Sequence, residues 1–231
     1  MRVSERAKIQ LQTTDGKAAP DRVFVPYEQR LAGDARWALS EGSQFFEGKG
    51  ALQESLQKIT TRLRELGIPY SVVGGMALFR HGYRRFTEDI DLLVTREGLA
   101  LIHAKLDGLG YLPPFPQSRS LRDTESGVKI EFILSGDFPG DGKPKQVVFP
   151  DPISASFEAD GVRYLNLNSL IELKLASGMT NPARIRDISD VMELIKSLNL
   201  PLDYSRSLNP YVQEKFTEIW QIVEKDGTKD E

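Results

Sequence analysis

The chain contains no cysteine, which excludes disulfides, thiolate metal sites and a cysteine nucleophile. Histidine is scarce, with two residues in 231, and the pair, His81 and His103, is not spaced like a hydrolase metal cluster. No charge sign dominates. Thirty Lys and Arg stand against 33 Asp and Glu, for a net charge of −3. A global electrostatic pull toward nucleic acid or membrane is therefore absent, although a local basic patch is not excluded. No apolar run approaches the roughly 20 residues that cross a bilayer. The opening stretch, MRVSERAKIQLQTTDGK, lacks the apolar core of a signal peptide, so a cytoplasmic protein that does not touch membrane is expected. What remains is an ordinary globular composition, 40% hydrophobic and 27% charged, in a chain long enough to bury a core as one large or two small domains.

Residues 1–42 show no sustained hydrophobic period and read as an N-terminal arm, partly disordered or docked late. From Ala51 onward Leu52, Leu56, Ile59, Leu63 and Leu66 recur at steps of three and four, one face of an amphipathic helix that Gly67 ends. Ile68–Val73 reads as a buried strand, Met76–His81 as a short helix, Glu88–Thr95 as a second strand and Glu97–Leu109 as a longer helix. Val128–Leu134 is a third strand. Ser135–Pro152 is dense in glycine and proline and reads as loop. Beyond Tyr164 the pattern turns helical. Ser169 and Glu172 match a capping box, Pro182 suits a helix start, and a last helix holds Tyr211–Val223. The expected fold is α/β (α+β): a short mixed β-sheet with flanking helices over 43–152, then a helical bundle over 153–231.

The strand Glu88–Thr95 carries two aspartates. Alternation puts Asp89 and Asp91 on one face, with Cα atoms about 7 Å apart, and Ile90 and Leu92 on the other. Two carboxylates converging on one small volume do not both stay ionised without compensation. A hard divalent cation, Mg²⁺ or Mn²⁺, would compensate them; a wet edge strand is the alternative. Gly74 and Gly75 follow a strand and open a helix, a turn that suits phosphate or serves only as a tight connection. A phosphate cradle beside a carboxylate pair makes a coherent phosphoryl-transfer site.

Gly74-Gly75 followed by Asp89-Ile90-Asp91 resembles the nucleotidyltransferase superfamily, whose members carry a G-G or G-S turn and then a D-x-D strand. The longer run GGMALFRHGYRRFTEDIDLLV resembles the AbiEii-like toxin branch and related bacterial proteins, with a G-G-x-A-L start, a basic residue before T/S-x-D-I-D-L, and later a Lys-bearing helix followed by R-x-x-D-x-x-D. The likeness covers about Ile68 to Leu198. It implies a nucleotidyltransferase-like α/β domain and Mg²⁺-dependent transfer of NMP from an NTP to RNA or protein, with pyrophosphate released. In the toxin branch it also implies a cognate antitoxin. Asp89 and Asp91 would hold the metal. The superfamily's third carboxylate falls on Glu131 in VKIEFIL, which alternation places on the same side. Glutamate is one methylene longer than the usual aspartate, so an inactive scaffold that binds nucleotide or a protein partner is the alternative function.

The resemblance also gives Lys174, in LIELKLAS, a role on the nucleotide phosphates; otherwise it is a lysine that snorkels to solvent. Asp187 and Asp190 are three apart and share a helix face, which the resemblance implies lies close to the site; Arg186 and Asp190 could instead form a surface pair. Arg84 and Arg85 are candidates for triphosphate or acceptor contacts. Thr87 caps or orients the aspartate strand, and His81 reads as a helix-end residue. The loop GDFPGDGKPK is a candidate lid or acceptor wall.

Overall fold

The computed structural model describes residues 25–227; residues 1–24 of the expected arm lie outside them. Fifteen regular elements follow. Tyr27–Gly33 (α1), Ala35–Phe46 (α2) and Ala51–Glu65 (α3) precede the strand Tyr70–Val72 (β1) and the short helix Gly74–Arg80 (α4). Asp89–Val94 (β2), Arg96–Leu106 (α5), Tyr111–Leu112 (β3), Ser120–Asp123 (β4) and Lys129–Leu134 (β5) come next. Ser156–Ala159 (β6) and Val162–Leu165 (β7) form a hairpin, and Leu167–Thr180 (α6), Ile185–Leu198 (α7) and Pro210–Gly227 (α8) close the chain.

The sheet has seven strands in the order β3-β4-β5-β2-β1-β7-β6, larger than the short sheet expected. β2 lies at its centre, antiparallel to β1 and parallel to β5. The carboxyl strand is therefore not a wet edge. The sheet separates two apolar cores. One joins Ile90, Leu92 and Ile130 to α3 and α5 through Leu56, Ile59 and Ile102. The other joins Leu93 to α4 and to α6, α7 and α8 through Leu78, Ile171, Leu194 and Phe216. Strand alternation sets this division: Leu93 lies two residues beyond Asp91 on the same face, so that face passes from charged to apolar within one step.

Several expectations are corrected. The described part of the period-less arm read over 1–42 forms α1 and most of α2. Its anchors are few and uneven: Tyr27 is fully buried, Phe45 nearly so, and Tyr27 N donates to Gly127 O at 3.1 Å. The chain after residue 152 does not open with helices. β6 and β7 extend the sheet, with β7 parallel to β1. Asp160-Gly161 joins them with φ of 52° and 73°, the two positive values a type I′ hairpin turn requires. The capping box at Ser169 and Glu172 does not form. Asn166 caps α6 by accepting from Ser169 N at 2.9 Å, and Glu172 accepts from Asn209 N at 2.6 Å, tying α6 to the start of α8.

Glu41 is 4% exposed in a wholly internal role. Its Oε1 accepts from Ala51 N at 2.6 Å and from Tyr27 Oη at 3.3 Å, capping α3 and joining it to α1. Glu41→Ala removes that cap, worth about 1 kcal/mol, and should lower the melting temperature by roughly 2–4 °C. An unchanged melting curve would show that α1 and α2 do not brace α3.

Candidate active site

The central pairing of the sheet builds the site. In the β2–β5 register Asp91 stands beside Glu131 and Asp89 beside Lys129. Asp89, Asp91 and Glu131 share one face, and each offers a carboxylate oxygen within 4.8 Å of the others'. Thr87 Oγ1 donates to Asp89 Oδ1 at 2.9 Å, fixing that side chain where the strand begins. Asp91 is half-buried. Burial, then the charges of Asp89 and Glu131, push its carboxyl up to about 7, against the opposing pull of Lys174 and Arg184.

The double glycine answers to this geometry. Gly74 has φ +59°, and a Cβ there would lie 1.9 Å from Asp91 Oδ2; a Cβ on Gly75 would lie 2.7 Å from Thr87 Cβ. Only glycine lets the start of α4 press against the carboxyl strand. The first-turn N–H groups of a helix have no intrahelical acceptor, and Gly74 and Gly75 line the cleft in front of the carboxylates.

That cleft encloses about 540 Å³, within the range of small-molecule sites. Its far wall comes from α6 and α7, which approach closely at Gly178, where a Cβ would meet Ile188 at 2.5 Å. Lys174 is buried rather than snorkelling: it donates to Asp187 Oδ1 at 2.9 Å and to Asp190 Oδ2 at 2.7 Å. Asp190 is 2% exposed and also receives Arg85 Nε at 2.8 Å and Nη2 at 3.0 Å. It does not pair with Arg186. Ser177 Oγ donates to the other Asp187 oxygen at 2.7 Å. A third side of the cleft is the loop after β5. Asp137 there is held by Arg96 at 2.6 Å and Arg119 at 2.7 Å, and Asn181 Nδ2 donates to Gly140 O at 3.3 Å. Tied at both points, the loop is a wall of the cleft.

The structure thus gathers Gly74, Gly75, Arg85, Asp89, Asp91, Glu131, Lys174 and Asp187 around one space. Arg84 is not among them: its guanidinium lies 5.4 Å over the Phe79 ring. His81 is a helix-end residue, with Nε2 2.8 Å from Leu165 O. His103 bonds Asp107 and Ser118 O. Sequence reasoning missed Arg119 and the bracing role of Asp190. The signal for Asp190 was its three-residue spacing from Asp187, which puts both carboxylates toward one lysine. Arg184 and Arg186 also line the cleft. Both are exposed, and among the described residues neither has an ion-pair partner.

No family model and no curated protein sequence matches the chain. Several solved structures are similar to it, three of which follow. The crystal structure of ANT(2'')-Ia in complex with adenylyl-2''-tobramycin has 16% identity and a TM-score of 0.44, over 73% of this chain and 95% of that one. The solution structure of the same antibiotic-resistance factor has 16% identity and a TM-score of 0.45, over 75% and 93%. An antigenic nucleotidyltransferase-like protein from Paracoccidioides brasiliensis has 16% identity and a TM-score of 0.42, over 63% and 75%. Among the described residues no helix is long and apolar enough to cross a membrane.

The raised carboxyl of Asp91 sets the sign of a pH effect. Its folded pKa of about 7 exceeds the ordinary 3.8, so between those values the native state binds more protons than the unfolded one. The metal-free protein therefore gains stability from this group as pH falls through 7. At pH 8, without divalent cations, Asp91→Asn should raise the melting temperature by about 3 °C, the shift of roughly 1 kcal/mol in a chain of this size. The difference should shrink by pH 5. A variant less stable than wild type at pH 8 would contradict this assignment.

Proposed function

We propose that the chain is a divalent-metal-dependent nucleotidyltransferase that moves NMP from an NTP to an acceptor hydroxyl. The observation that carries this reading is the convergence of Asp89, Asp91 and Glu131 on two adjacent strands, facing a cleft with the start of α4 on one side and Arg184 and Arg186 on the other. The donor set fits a hard cation: three carboxylates and no sulfur or imidazole ligand. Burial first, and the charges of Asp89 and Glu131 after it, push the Asp91 carboxyl up, so the clustered carboxylates disfavour a third negative charge in this space. A Mg²⁺ or Mn²⁺ ion held there by Asp89, Asp91 and Glu131 would neutralise that charge and stabilise charge developing on the phosphoryl oxygens.

The chain's own groups divide the remaining tasks. The N–H groups of Gly74 and Gly75 bind phosphate oxygens. Lys174 has two of its three donors on Asp187 and Asp190 and keeps one for the nucleotide, while Asp187 fixes its direction. Arg85, locked on Asp190, orients the approach to β2. Arg184 and Arg186 bring cationic charge that no carboxylate of the described residues pairs with, and they take the outer phosphates. The acceptor oxygen attacks the α-phosphorus in line. One P–O bond forms as the α–β bridging P–O bond breaks, the acceptor proton passes to Glu131, and pyrophosphate leaves. RNA or protein as acceptor, and a toxin role with a cognate antitoxin, rest on the order of the sequence motifs.

Calorimetric titration of the four NTPs tests this reading. At least one should bind wild type only with Mg²⁺ present, and Asp89→Asn/Asp91→Asn should abolish that binding in a folded protein. Metal-independent binding that survives the double substitution would sink the assignment. Arg184→Ala/Arg186→Ala should weaken the same titration about tenfold, the loss of charge-assisted phosphate contacts, and flatten its salt dependence. Arg84→Ala should leave both unchanged.

A further inference from the structure

One cation stands next to the carboxylate cluster without belonging to the cleft. Lys129 opens β5 two residues before Glu131, so the two side chains share a face, and its register partner is Asp89. Its ammonium forms an ion pair with Glu131 Oε1. This pair is not a buried structural bridge. The two side chains are 37% and 41% exposed, and exposed pairs of this kind are worth at most about 1 kcal/mol. Glu131 is also the one member of the carboxylate cluster with such a partner among the described residues: Asp89 accepts a neutral hydroxyl and Asp91 has no ion pair.

We propose that Lys129 is an internal competitor for the third metal ligand: its ammonium occupies Glu131 until a divalent ion displaces it. The inference rests on the nucleotidyltransferase reading and adds to it a residue that controls how readily the metal site completes itself. The chemistry is simple exchange. A Lys–carboxylate pair at the cleft rim is weak and reversible, whereas a carboxylate shared with Asp89 and Asp91 around a dication gains far more Coulomb energy. The displaced ammonium has another carboxylate to approach. Glu28 on α1 is gripped by Arg122 through two bonds of 2.8 Å. Burial pushes its carboxyl up, but the Arg122 hydrogen bonds, with the charge of Lys129 among the lesser causes, bring it net below the usual range. Lys129 is therefore within electrostatic reach of an acid on either side.

Competition at Glu131 differs from a general field effect of one nearby positive charge. A field effect would persist after Glu131 is neutralised; competition would vanish with it. Mn²⁺ titration followed by electron paramagnetic resonance, without nucleotide, separates them. Lys129→Met should bind Mn²⁺ about three- to fivefold tighter than wild type, the release of a pair worth at most about 1 kcal/mol. Glu131→Gln should bind more weakly than wild type. In the Glu131→Gln background Lys129→Met should give no gain. An unchanged or weaker Kd in Lys129→Met, or an equal gain with and without Glu131, would overturn the proposal while leaving the metal site standing. If neither wild type nor Lys129→Met binds Mn²⁺, both this proposal and the metal-dependent reading fall. The melting temperature of each variant, read alongside, shows that the comparison is among folded proteins.

Discussion

The parallel pairing of β2 with β5 is the constraint on which the rest of the site depends. Alternation alone places Asp89 and Asp91 on one face of their strand, but register decides what stands beside them. With Asp91 opposite Glu131, a third carboxylate joins the pair. A slip of one residue would present Ile130 or Phe132 instead and turn the glutamate into the opposite core. The register is well specified because both faces are committed. Ile90 and Ile130 are fully buried toward α3 and α5, and Leu93 is fully buried toward the later helices. The apolar residues of these strands therefore hold three negative charges together that would otherwise repel one another apart.

The second constraint is the set of ion pairs around Asp190. Arg85 comes from the link before β2, Lys174 from α6, and Asp187 and Asp190 from α7. Buried pairs of this kind contribute little net stability, because desolvation offsets the Coulomb gain. Their contribution is positional: three segments distant in sequence meet at one carboxylate, and removing it would take the ion-pair partner from Arg85 and leave Lys174 on Asp187 alone. This also explains why cleft cations differ in availability. Arg85, Lys174 and Arg119 each have a carboxylate partner, while Arg184 and Arg186, at the start of α7, line the cleft with none among the described residues.

The sequence made the central elements legible because their signals are local. The four-and-three spacing of α3, the alternation in DIDLLV and the same alternation in KIEFIL each lie within one short window. The Asp89–Asp91 pair was legible for the same reason, since its members lie two residues apart on one strand, whereas Glu131 was reached through the family resemblance, with alternation placing it on the same side. What escaped depended on distant partners. β7 is four residues long and is fixed by β1, about ninety positions earlier. α1 and α2 hold to the core through Tyr27, Phe45 and a buried glutamate rather than through an apolar stripe. The Asp160-Gly161 turn was readable, but its flanking strands carry exposed Phe157 and Glu158 and so lack the alternation that would have named them. Lys174 shows the limit most clearly: one lysine among apolar residues fits both a snorkelling side chain and a buried one, and only the return of α7 decides between them.

The double glycine shows why a motif and its function need separate arguments. Gly74 and Gly75 would be required here even if no phosphate ever entered, because Asp91 and Thr87 already occupy the space a Cβ would take. Their identity is therefore evidence about packing. The functional evidence is what that packing achieves. It brings the N-terminal end of α4, which favours negative charge, directly against Asp91, with Lys174 and Arg184 close enough to pull the carboxyl down. Asp91 is raised to about 7 all the same. Burial is the first cause, and the charges of Asp89 and Glu131 add to it against the pull of the two cations. Among the described residues only Lys129 reaches this cluster as an ion pair, on Glu131; a positive ligand centred between the three carboxyls would act on all of them.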